Sequence, residues 1–118
     1  MRKLILAAAA MAAIASGVQA DDRQRMDDLA TCLSFSFVKN GLDGVKDVPA
    51  DLVPGIMAIK DEFLFEASVN GLDDNAAQTL VVERLQEQNK IKEINGLQEV
   101  VSRYLPLCRK VGESLSQP

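Results

Sequence analysis

Apolar residues recur at helical spacing through four stretches of this chain, and three of the stretches end on nearly the same word. Before Asn40 they fall at Met26, Leu29, Ala30, Leu33, Phe37 and Val38, the i, i+3, i+4, i+7 pattern of one buried helical face. Before Asn70 the spacing repeats in Ile56, Ile59, Phe63 and Ala67, with Met57 and Leu64 widening the stripe. Before Asn95 come Ala77, Leu80, Val81, Leu85, Gln88, Ile91 and Ile94. The last stretch carries Leu97, Val100, Val101, Tyr104, Cys108, Val111 and Leu115 at spacings of three and four. The pattern predicts helices over about 22–40, 52–70, 74–94 and 97–115, hence an all-α, four-helix bundle-like domain.

The repeated words are Asn40-Gly41-Leu42-Asp43, Asn70-Gly71-Leu72-Asp73 and Asn95-Gly96-Leu97-Gln98. Their intervals differ and the apolar positions between them do not align, which argues against a repeat unit. Their chemistry suits helix ends. Glycine accepts the left-handed backbone that follows a last helical turn, and Leu42, Leu72 and Leu97 are placed to fold back onto it. Asp73 or Asp74 can then cap the next helix by accepting its free amide hydrogens. Asp27 and Asp28 are read as first-turn residues favoured by the helix dipole. Two prolines modify the scheme. Pro54 falls in a first turn, where proline is tolerated, and Pro106 should kink or break the last helix near Ser102 to Leu105.

Ahead of these helices, MRKLILAAAAMAAIASGVQA carries Arg2 and Lys3, an uncharged run from Leu4 to Ala15, and small residues at Val18-Gln19-Ala20. That is the form of a secretory signal peptide, cleaved after Ala20. The run is short for a membrane span, which needs about 20 apolar residues. Residues 21–118 then form a single helical domain of a size that supports one core. Removing residues 1–20 takes two of the 13 basic residues and none of the 17 acidic ones, so the net charge moves from −4 to −6. An acidic periplasmic chain does not suit nucleic acid or an anionic membrane surface, since both demand clustered Lys and Arg.

Export changes the expectation for Cys32 and Cys108. An oxidising compartment and an even count favour one disulfide, which would tie the first helix to the last. Closing so long a loop is worth about 4 to 5 kcal/mol in the chain-entropy model.

Several chemistries are missing from the sequence. There is no histidine or tryptophan and no Cys-x-x-Cys, so the commonest general base and metal ligand and the thiol redox motif are all lacking. Ser34 and Ser36 have no base to activate them, and Gly44 and Gly55 do not sit in a phosphate-binding loop. Asp61, Glu62 and Glu66 lie on nearby turns, but read as a solvated helix surface beside Lys60. The segment Glu83 to Glu93 reads as a charged outer face. The expectation is a protein that is not an enzyme and needs no cofactor or metal.

The segment Asp28-Leu29-Ala30-Thr31-Cys32-Leu33, with Cys108 in Leu105-Pro106-Leu107-Cys108, resembles the small periplasmic immunity proteins that neutralise type VI secretion peptidoglycan amidases. The resemblance covers one hexapeptide and the general layout, and implies a helical, exported inhibitor of a cell-wall-degrading enzyme. That family's inhibitory loop has no counterpart here, so no binding residue carries over. From the residues themselves, the long connection between the first two helices is the candidate interaction segment. Its charged residues Asp43, Lys46, Asp47 and Asp51 could steer a protein partner of opposite charge. A homodimer is compatible with this reading. The alternatives are a small periplasmic stress chaperone, which would expose Phe35, Phe37, Phe63 and Phe65 when its paired carboxylates protonate, and a structural subunit of an envelope complex.

Overall fold

The structure, a computed structural model, describes residues 22–43 and 45–116. The expected leader with its cleavage point and Gly44 lie outside the described residues. Four α-helices follow in order: α1 over 22–39, α2 over Val53–Val69, α3 over Asp74–Asn95 and α4 over Leu97–Ser116. A short 3₁₀ turn, Val45–Asp47, interrupts the connection between α1 and α2. No strand occurs among the described residues.

The first two Asn-Gly-Leu words build the same cap. The Gly41 amide donates to Val38 O and the Leu42 amide to Phe37 O at 2.9 Å; likewise Gly71 donates to Ser68 O and Leu72 to Ala67 O at 2.9 Å. These paired bonds satisfy carbonyls that the helix would leave unpaired, with glycine at a positive φ of 65° or 78°. The asparagines assist, as Asn40 Nδ2 reaches Ser36 O and Asn70 Nδ2 reaches Glu66 O, both at 2.8 Å. Leu42 and Leu72 then fold onto the core.

The third word behaves differently. Gly96, at φ 91°, is the single residue between α3 and α4, and Leu97 opens α4 instead of folding back. Leu97 is left exposed, as is Ile94 at 72%. A one-residue reversal leaves no chain with which to return either side chain to the core. Asp73 caps α3 as expected, accepting from the Ala76 amide at 2.8 Å.

Packing is organised around α1. Met26, every residue from Leu29 to Phe35, and Val38 are buried, so α1 is enclosed on all sides where one buried face was expected. Small side chains at Ala30, Thr31, Cys32 and Ser34 let neighbouring helices approach closely. One apolar cluster joins α1 to α2 through Leu29, Leu33, Ile56, Phe63 and Ala67, and a second joins it to α4 through Phe35, Val38 and Val100. Cys32 and Cys108 are disulfide-bonded with Cα atoms 5.3 Å apart, linking the first and last helices. Phe35 and Tyr104 meet further along, with ring centroids 6.3 Å apart. Pairing residue 32 with 108 and 35 with 104 sets α1 antiparallel to α4. The bond from Asn70 Nδ2 to Asp22 O, at 3.3 Å, joins the end of α2 to the start of α1, so these two are antiparallel as well.

Helix α4 runs unbroken through Pro106, so of the expected kink or break the break does not form. Pro106 and Ser102 are both exposed, so the carbonyl that loses its partner meets water, where the loss is mild. The disulfide and the buried Val100 and Val111 hold the helix on both sides of the proline.

Candidate functional site

A cleft of about 660 Å³ opens between the C-terminal half of α1, the first two turns of α2 and the second half of α4. Its apolar lining comes from Phe35, Leu52, Ile56, Ile59, Leu105 and Leu115, with the Cys32–Cys108 disulfide among them. The helix that starts at Val53 and the one that carries Gly112 present glycines here: a β-carbon built on Gly55 or Gly112 would meet nothing within 4 Å. Two charged side chains line the cleft, Lys39 and Arg109, and both are exposed.

The expected interaction segment borders this region. Asp43, Lys46, Asp47 and Asp51 all lie on the α1–α2 connection and all are exposed, while Leu42, Val48 and Leu52 of the same connection pack against the core. The segment is therefore held at both ends and in its middle, with its charges facing outward. None of the four takes part in an ion pair among the described residues.

Helix α2 carries apolar residues on both sides. Ile56, Phe63 and Ala67 face the core, but Met57 and Leu64 do not widen that buried stripe: with Val53 they stand 38–40% exposed. Spaced four and seven residues apart, these three share one outer face. Phe65 and Val69, four apart, form an adjoining patch at 61% and 52% exposure. Only sparse contacts connect α2 to α3 and α4, so among the described residues its outer side meets no other helix. Apolar residues on two sides of one helix ordinarily have partners on both sides.

Three of the polar clusters tie helices together. Arg25 of α1 sits 3.3 Å from Glu62 Oε1 and 3.5 Å from Glu66 Oε1. Glu66 is thus a buried carboxylate facing an arginine of α1, where a solvated surface beside Lys60 was expected. Arg84 of α3 bonds Asp27 and Glu87, each at 2.8 Å. Burial opposes its charge, yet the hydrogen bond it donates to Asp27 and the nearby Asp27, Glu87 and Glu83 carboxylates hold the guanidinium above its ordinary value. The third tie is neutral: Ser34 Oγ donates to Val81 O and Gln88 Nε2 to Thr31 O, both at 2.9 Å. Gln88 is therefore inside the molecule, although it stands in a run that reads as a charged face. Among the described residues no group of three His, Cys, Asp or Glu side chains comes together to hold a metal ion, and no helix is long and apolar enough to cross a membrane.

Sequence reasoning missed the outer face of α2 as a surface and the cleft altogether. The near-zero amphipathicity of Val53–Val69, apolar at nearly every turn on both sides, was the available signal for the first. Comparison with protein-family models, curated proteins and solved structures finds no match for this chain.

Proposed function

We propose that this chain is an exported protein-binding module that docks through the outer side of α2, with the acidic connection at Asp43, Lys46, Asp47 and Asp51 beside it. The observation that carries the reading is the exposed set Val53, Met57, Leu64, Phe65 and Val69 on one helix. Clustered apolar side chains on a small protein mark association surfaces, and aromatic and methionine residues are enriched at the centre of such surfaces. The disulfide supports the exported reading, because such bonds persist in oxidising compartments. The resemblance at Asp28 to Leu33 supplies the partner class, a peptidoglycan-degrading enzyme, and the role of inhibitor.

The test is capture of a stoichiometric partner from envelope extracts by the oxidised protein, followed by an assay of wall hydrolysis with and without it. Equimolar loss of hydrolase activity supports the inhibitor. Capture without inhibition supports a structural subunit of an envelope complex instead, and no capture by wild-type protein rejects the docking reading.

A second reading, an acid-responsive chaperone, is favoured by the ties of Arg25 to Glu62 and Glu66 and of Arg84 to Asp27. Neutralising the carboxylates in acid would remove the charge from these links between α1 and its neighbours. Phe35 and Phe63 are buried in the two apolar clusters that α1 joins. Acid-induced binding of an aromatic dye, with suppression of client aggregation, distinguishes this reading from the first.

A further inference from the structure

We propose that the cleft between α1, α2 and α4 binds a single-chain amphiphile with an anionic head group, its alkyl chain along the apolar lining and its head drawn to the exposed cations that border that lining, Lys39 and Arg109. The volume, about 660 Å³, falls within the range of small-molecule sites. The charge pattern selects the head group. Acidic residues outnumber basic ones 17 to 13 in the chain, yet both charged residues of this cleft are cations, one from α1 and one from α4. Neither is ion-paired among the described residues, whereas Arg25, Arg84 and Arg103 each face a carboxylate.

The hydrogen-bonding capacity of the lining selects the body of the ligand. Ser36 Oγ donates to Cys32 O, Asn40 Nδ2 to Ser36 O, and Ser116 Oγ to Gly112 O, so each neutral polar side chain named here already serves its own helix. Backbone groups in mid-helix are committed in the same way. A peptide or sugar in this cleft would find no free neutral side-chain partner among Ser36, Asn40 and Ser116 for its own polar groups. An alkyl chain brings none, and its carboxylate or phosphate head meets a cleft whose charged residues are cations only. The missing side chains at Gly55 and Gly112 leave the width that a chain needs. This inference is independent of protein docking, because Val53, Met57, Leu64, Phe65 and Val69 do not line the cleft.

Isothermal titration of the oxidised protein with dodecanoate below its micelle concentration tests the proposal. The expected result is one-to-one binding, weakened about tenfold or more by the double reversal Lys39→Glu with Arg109→Glu. Dodecyltrimethylammonium, with the same chain and the opposite head charge, should bind about tenfold more weakly than dodecanoate to the wild type. Gly112→Leu should abolish binding while leaving the far-ultraviolet dichroism unchanged, since the position is helical with room for a side chain. Absence of dodecanoate binding overturns the proposal. So does equal affinity for the two head groups, and so does full affinity in folded Gly112→Leu protein, which would place the ligand elsewhere.

Discussion

The side-chain amide of Gln88 donates to the main-chain oxygen of Thr31 at 2.9 Å, and Gln88 is 1% exposed. Its Oε1 is buried and has no partner among the described residues. A neutral group so enclosed tolerates loss of its polarity better than gain of charge. Gln88→Met, of similar shape, should change stability by less than about 1 kcal/mol, since the orphaned oxygen disappears along with the bond. Gln88→Glu should cost about 3 kcal/mol at pH 7. Burial would raise the new carboxyl above the unfolded value of about 4.3, so the deficit should be absent below about pH 4 and grow as pH rises through that range. Urea unfolding of both variants against wild type at pH 4 and pH 7 checks this. Equal losses for Met and Glu at pH 7 would show that the Thr31 bond, not the buried charge, sets the cost.

The contrast between Gln88 and the Asn-Gly-Leu words shows what the sequence could reveal. Helix ends were legible because Gly41, Gly71 and Asp73 act on their own backbone neighbours, a few residues away. The enclosure of α1 was not, because Thr31 and Ser34 read as polar positions until partners from a distant helix meet them, whereas Gln88 already fell on the stripe of α3. The disulfide was legible from parity and compartment. The outer face of α2 was not, because Met57 and Leu64 look the same in sequence whether they widen a core stripe or face outward. Lys39 and Arg109 give no warning of a cleft, since their relation exists only once three helices have packed.

Reducing the Cys32–Cys108 bridge should lower the unfolding free energy by about 3 to 5 kcal/mol. The residues are 76 apart in sequence, and a loop of that length corresponds to about 4.5 kcal/mol of lost denatured-state entropy. Denaturant midpoints in oxidising and reducing buffer measure it, and reduction keeps both sulfur atoms in the core. A difference below about 1 kcal/mol would mean that the reduced, unfolded chain retains the α1–α4 association.

Two glycines should respond to alanine with opposite signs. Gly71 holds φ 78° after α2, where a β-carbon is disfavoured by about 1 to 2 kcal/mol. Gly112 lies inside α4 with no atom near the new methyl. There alanine should stabilise by about 0.5 to 1 kcal/mol, because glycine has more conformational freedom to lose. Thermal melts of Gly71→Ala and Gly112→Ala should bracket the wild type. A shift of both in the same direction would contradict the cap geometry.

The last prediction separates the two parts of the proposed docking surface. Phe65 and Val69 are more than half exposed, so Phe65→Gln with Val69→Gln should leave stability within about 0.5 kcal/mol per site, or raise it slightly through better helix propensity. If these side chains anchor a partner, the same change should act on the rate at which the complex falls apart, because loss of buried apolar contact shortens residence. Asp43→Lys with Asp47→Lys alters exposed charges on the connection and should act instead on the rate of association with a basic partner, in a manner that fades as salt rises. Surface plasmon resonance of the captured complex at low and physiological ionic strength resolves the two rates. A large fall in melting temperature for the glutamine variant would show that Phe65 and Val69 are packed within the protein in solution, and α2 would lose its claim to the docking surface.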